Sequence, residues 1–118
     1  MSAEISAGLL AAIIMVESGG RPNPPRGAAG EVGPLQITTV LVDDLRRHGY
    51  TFTYQCRHDR DRSIEMFYAY MGIYATARRL GREPTPQDFA RIWNGGPNGW
   101  RKPVTIRYWH KVVAELRK

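Results

Sequence analysis

The run from Ala7 to Val16 is almost wholly apolar and stops abruptly at Glu17, Ser18, Gly19 and Gly20. No other stretch limits the fold as strongly. Ile5, Leu9, Ala12, Ile13 and Val16 recur at helical spacing, and Leu10 and Ile14 widen that stripe. A helix built this way has to bury most of its circumference. It is predicted as the central core helix, with Ser2 as its cap and Glu4 in its first turn. Gly19 or Gly20 then supplies the positive φ of the helix exit. The run is too short to cross a bilayer. It also lacks the basic start and small-residue cleavage site of a secretory signal.

Glu17 is the one acid on this helix end. An ionisable group there is costly unless it has a partner or a use. It also faces the negative end of the helix dipole. Both effects favour the protonated carboxyl, as a general acid near neutral pH requires. The competing reading is a solvated glutamate at a helix end. From Gly20 to Gly33, prolines at 22, 24 and 25 and glycines at 20, 27, 30 and 33 exclude a regular helix. Such a stiffened loop beside a buried acid suits a cleft wall, although an ordinary surface loop has the same composition. Gly33 before Pro34 permits a close backbone approach.

The remaining pattern is helical. Thr38 or Thr39 caps a helix running to about His48, with Val40, Leu41 and Leu45 inward, Asp43 and Asp44 early, and Gly49 ending it. Tyr50 to Tyr54 alternates like a strand but has no partner segment, so an extended connector is expected. Asp59 or Asp61 opens a long helix to about Leu80, with Ile64, Phe67, Tyr68, Met71 and Tyr74 on its buried side, and Gly81 stops it. Thr85-Pro86-Gln87-Asp88 restarts the chain as cap, first position and acidic first turn. Phe89, Ile92 and Trp93 face inward before a turn cluster at Asn94 to Gly99. A last helix from about Pro103 to Leu116 buries Ile106, Trp109, Val113 and Leu116. The fold class is all-α, in a single domain over residues 1–118.

With 118 residues there is room for one core. A hydrophobic share of 42% and a charged share of 24% exclude a disordered chain. The net charge of +6 favours a polyanionic partner, be it nucleic acid, an acidic membrane or a bacterial wall. A solubilising surface is the plainer alternative. Cys56 is the only cysteine, so no internal disulfide can form. Cys56 and His58 give only Cys-x-His, with His48 and His110 distant, so no metal site is expected. No cofactor is implied.

Glu17-Ser18-Gly19-Gly20, the Pro/Gly loop and Gly33-Pro34-Leu35-Gln36-Ile37 together resemble the active-site region of the lysozyme-like superfamily, which holds soluble lytic transglycosylases and goose-type and invertebrate-type lysozymes. Arg91-Ile92-Trp93-Asn94-Gly95-Gly96-Pro97 is similar to its Tyr-Asn-(Ala/Gly)-Gly element, with Trp for Tyr. Tyr108-Trp109-His110-Lys111-Val112 is similar to its closing Tyr-Trp-x-x-Val helix. The blocks stand in the family's order and cover nearly the whole chain. The resemblance implies a helical scaffold and cleavage of peptidoglycan between N-acetylmuramic acid and N-acetylglucosamine, with Glu17 as general acid.

Hydrolases add a second carboxylate. Related sequences often place an aspartate before the Gly-Pro-Leu-Gln-Ile block, but Arg26-Gly27-Ala28-Ala29-Gly30 has no acid, and Glu31 is the nearest substitute. A solvated loop charge is the other reading of Glu31. Without it the chain resembles lytic transglycosylases, which use one glutamate and close a 1,6-anhydro ring. Gln36 and Asn94 suit sugar hydroxyls or acetamido groups. Trp93 offers an aromatic face, Tyr108 a hydroxyl, and Ser18 and Gly95 complete the substrate-binding set. For Trp93 and Tyr108 a purely structural role is as well supported. The expected partner is anionic bacterial peptidoglycan, met outside the cytoplasm in the periplasm, the wall or the medium. A monomer is expected, with no nucleic acid, since no basic helix carries base-reading residues. A non-catalytic glycan- or protein-binding domain on the same scaffold is the alternative.

Overall fold

A computed structural model describes residues 4–118. Six α-helices follow in order: α1 (Ala7–Ser18), α2 (Thr39–Arg47), α3 (Arg60–Tyr74), α4 (Ala77–Leu80), α5 (Pro86–Gly95) and α6 (Ile106–Leu116). Short 3-10 turns cover Tyr54–His58, Gly99–Arg101 and Pro103–Thr105. Among the described residues the only β pairing is one antiparallel bridge, Val32 with Ile37. The all-α expectation holds. No described helix is long and apolar enough to cross a membrane.

The chain divides into two compact units. One joins the residues through Val16 to Tyr70–Lys118, and the other is Glu17–Ala69. In the first, Leu9, Ile13, Phe89, Ala90, Ile92 and Val112 are buried. In the second, Leu35, Ile37, Val42, Leu45, Met66 and Phe67 are buried.

Helix α1 is as apolar as expected but starts later. The Ser6 hydroxyl accepts the Leu9 N–H at 3.0 Å, and the Ser6 carbonyl accepts that of Leu10. Ser6 therefore does the capping, and Glu4 precedes the helix. The serine nearer the first buried leucine satisfies the orphan N–H groups. Ser2 lies outside the described residues. Gly19 and Gly20 both take positive φ at the exit.

Three helix faces differ from the expected ones. In α2, capped by Thr38, Val42 and Leu45 are fully buried, whereas Val40 is 71% exposed. Two positions of helix turn by about 200°, so Val40 cannot share a face with Val42. Asp43 and Asp44 also fall beyond the first turn of α2. The helix expected to reach Leu80 breaks at Ala75 and Thr76. Thr76 Oγ1 accepts the Arg79 N–H and starts α4 anew. The Arg79 guanidinium donates to the Tyr74 carbonyl left open at the end of α3. Met66, Phe67, Tyr70 and Met71 form the buried side of α3, while Tyr68 is exposed. In α6, Tyr108 and Val112 are buried, and Ile106 and Leu116 are exposed. Its stripe sits one position from the expected one.

The start of α5 is as expected. Thr85 and Asp88 form a reciprocal capping box, with Pro86 in the first turn. Asp88 is buried and accepts the Thr85 N–H at 2.7 Å, the Thr85 hydroxyl at 2.9 Å and Arg82 at 2.9 Å. Burial works against its charge, but Arg82 and Thr85 outweigh it and hold the carboxyl below its usual value. A lowered carboxyl stabilises the fold above the unfolded value of about 3.9 and loses that effect as pH falls through the folded value. Asp88→Asn should cost about 1–3 kcal/mol at neutral pH. Thermal melts from pH 7 to pH 2 should then show a shallower acid decline in the variant than in the parent.

Candidate functional site

Glu17 stands half-buried in the last turn of α1, and Ser18 beside it is fully buried. Arg21 closes this helix end. Its N–H and its guanidinium Nε both donate to the Ser18 carbonyl, at 3.2 and 3.0 Å. A cation on the last carbonyls offsets the negative end of the dipole next to the acid. Arg21 was not among the residues singled out from sequence, although a basic residue just past a glycine exit is a legible signal.

The Gly33-Pro34-Leu35-Gln36-Ile37 block is a tight hairpin in the same unit. Val32 and Ile37 exchange N–H···O bonds of 3.2 and 3.0 Å around it. Gly33 has φ +83, and a Cβ placed there would stand 1.8 Å from the Arg57 carbonyl oxygen. The hairpin thus lies directly on the Tyr54–His58 turn. Arg57 locks the two together: its guanidinium donates to Tyr54 O at 2.9 Å and Ile37 O at 3.2 Å. Burial, followed by the Arg26 charge, pulls that guanidinium below its ordinary value. Sequence did not single out Arg57 for this role, because the acceptor that ties it to the hairpin, Ile37 O, is distant along the chain.

Gln36 is, among the described residues, the one non-glycine with positive φ, at 52°. Its side-chain amide donates to Gly33 O at 3.0 Å. Left-handed backbone at such a residue is strained and concentrates at functional sites.

Glu31 is folded onto its own turn. Its Oε1 accepts the Ala29 N–H at 2.7 Å, and a Cβ on Gly27 would meet the carboxylate at 2.6 Å. The Gly27 N–H bonds the Glu31 carbonyl at 2.8 Å, closing the turn.

The other candidates lie in the first unit. Trp93 is buried on α5 and meets Tyr70 edge-on, with ring centroids 5.9 Å apart. Asn94 is exposed in the last turn of α5, followed by Gly95. Tyr108 is buried on α6. The corner after Asn94 is held by a buried arginine that sequence did not single out. Arg91 donates to Thr105 Oγ1, Gln87 Oε1 and Lys102 O, each at 2.8 Å. Lys102 Nζ bonds Gly95 O at 2.7 Å. A Cβ on Gly99 would lie 2.0 Å from Arg91 O, so this Gly-rich corner needs its bare backbone.

These features sit on a chain with clear relatives. No family model matches. A lysozyme of Magallana gigas is 36% identical over 93% of this chain and 80% of its own length. An invertebrate-type lysozyme of Ruditapes philippinarum is 33% identical over 89% of this chain and 77% of its own. The crystal structure of Tapes japonica lysozyme superposes with a TM-score of 0.75 at 26% identity, covering 95% of this chain and 92% of that one. Both the matched length and the fold agree: this chain belongs to the invertebrate-type lysozyme family.

Proposed function

We infer that this chain is a peptidoglycan-cleaving lysozyme, a glycoside hydrolase acting between N-acetylmuramic acid and N-acetylglucosamine. The observation that carries the reading is Glu17, a half-buried acid on the last turn of an apolar helix in a chain of this family. Glu17 protonates the glycosidic oxygen as the bond to the anomeric carbon breaks and positive charge builds on the sugar ring. Glu31 acts as the second carboxylate, held by the Ala29 N–H, and takes the proton of the attacking water. Gln36 binds an acetamido group or hydroxyl of the sugar. Asn94 and Gly95 offer an amide and bare backbone to the same class of ligand. Trp93 and Tyr108 stiffen the helices that carry or face them. The working place follows from the substrate, which lies outside the cytoplasm.

A second reading rests on the bonds of Glu31. Its carboxylate lies over Gly27 and accepts from Ala29, which suits a turn-organising role. Glu17 would then serve alone, first as acid and then as base, and the substrate's own hydroxyl would close a 1,6-anhydro ring. Mass spectrometry of released muropeptides separates the two. Reducing-end products are expected, and products lighter by one water would replace hydrolysis with transglycosylation. A protein that releases no muropeptides from purified walls would remove both.

A further inference from the structure

Glu17–Ala69 also holds an open groove of about 580 Å³, lined by Tyr50, Phe52, Arg62, Ile64, Glu65 and Tyr68 and by none of the candidate site residues. That volume lies in the usual range for small-ligand sites. Two aromatic rings face solvent in it: Tyr50 is 40% exposed and Tyr68 is 43% exposed. Neither ring is loose. Tyr50 stacks on the buried Phe52, with centroids 5.7 Å apart and planes at 16°. Tyr68 is braced edge-on by Phe67 at 5.8 Å. Arg62 lies 5.0 Å over the Phe52 ring and is paired with Glu65.

We propose that this groove is a second, non-catalytic binding site for a neutral N-acetylhexosamine chain. A pyranose has an apolar C–H face and a rim of hydroxyls. Braced tyrosine faces match the first, and tyrosine hydroxyls with an arginine–glutamate pair match the second. Rings already fixed by packing lose little freedom on binding. Charge selects among ligands. The chain as a whole is at +6, but here Arg62 is balanced by Glu65, so the groove suits an uncharged polyol better than a phosphate polymer. Ile64, Glu65 and Tyr68 stand on neighbouring turns of α3, which gives the site a rigid base. A second foothold would hold the protein on an insoluble polymer and raise its local concentration there. The proposal rests on the lysozyme reading for its choice of sugar.

The test uses Glu17→Gln protein, so that ligand is not consumed, titrated with triacetylchitotriose and followed by NMR. Shifts are expected at Tyr50, Phe52, Arg62 and Tyr68. Replacing both exposed rings, Tyr50→Ala with Tyr68→Ala, should remove those shifts and weaken retention on purified walls by about tenfold. Tyr68→Phe, which keeps the ring and loses only the hydroxyl, should keep the shifts and weaken retention less than Tyr68→Ala. In otherwise wild-type protein the double substitution should leave cleavage of soluble short oligomers unchanged. Should the double variant not fold, the single Tyr68→Ala, an exposed position on α3, decides by the same titration. Shifts absent from the groove while wild-type protein still lyses walls would overturn the groove and leave the enzyme. Groove shifts in a protein whose wild-type form lyses no walls would overturn the enzyme and leave the groove.

Discussion

Glu17→Gln is expected to lose about 100-fold to 10,000-fold of wall-clearing activity, the usual contribution of a positioned general acid. The substitution keeps the length of the side chain and most of its hydrogen-bonding capacity. It removes the one proton that can pass to the leaving oxygen. Stability should change little. A carboxylate at a helix C-terminus is mildly unfavourable, but Arg21 already places a cation on the Ser18 carbonyl and offsets much of that cost. Turbidity assays on bacterial walls, run beside thermal melts, read both quantities. A folded Glu17→Gln protein clearing walls at the parental rate would end the assignment of Glu17 and the mechanism with it.

Gly33→Ala is expected to be the most damaging single methyl group in the Glu17–Ala69 unit. Two penalties coincide there. A left-handed φ costs a non-glycine residue about 1–3 kcal/mol. The new Cβ would also stand 1.8 Å from the Arg57 carbonyl oxygen, which is backbone and cannot rotate away. Overpacking of that kind adds about 1–3 kcal/mol. Gly30 is the matched control: it has the same φ of +83 but no atom within 4 Å of a Cβ. Gly30→Ala should therefore show the conformational penalty alone. Denaturant melts of the pair should place Gly33→Ala about 1–3 kcal/mol below Gly30→Ala. Equal losses would mean that the hairpin lifts from the Arg57 turn at no cost.

What could be read from sequence was what neighbours decide. Thr85, Pro86 and Asp88 form their cap within four positions, and the structure has it as read. The glycine exits at Gly19, Gly49 and Gly81 are local in the same sense. Faces were harder. Val40, Tyr68, Ile106 and Leu116 are apolar or aromatic and periodic, yet exposed, because each position along a helix turns by about 100°, so a stripe drawn one or two positions off leaves the buried face. The break between α3 and α4 had one local sign, the Thr76 cap, which was not read. It depends on Arg79 reaching back to Tyr74 O and across to Pro97 O at 2.8 Å. Within the candidate site, Glu17 stood out through its place at the end of an apolar run. Arg57 and Arg91 did not, since their roles are to satisfy carbonyl and hydroxyl groups that only the fold brings near.

The left-handed backbone of Gln36 has a bearing on how this protein can be improved. A glycine at that position would relieve the hairpin of its strain, and directed selection for heat resistance would find the change early. It would also delete the amide proposed to meet the sugar. Screens scored on folding alone would thus drift toward sturdy, weakly lytic proteins, and the drift would begin at a residue that no measure of burial flags. Selection on lysis after heating, rather than on soluble yield, keeps position 36 as it is.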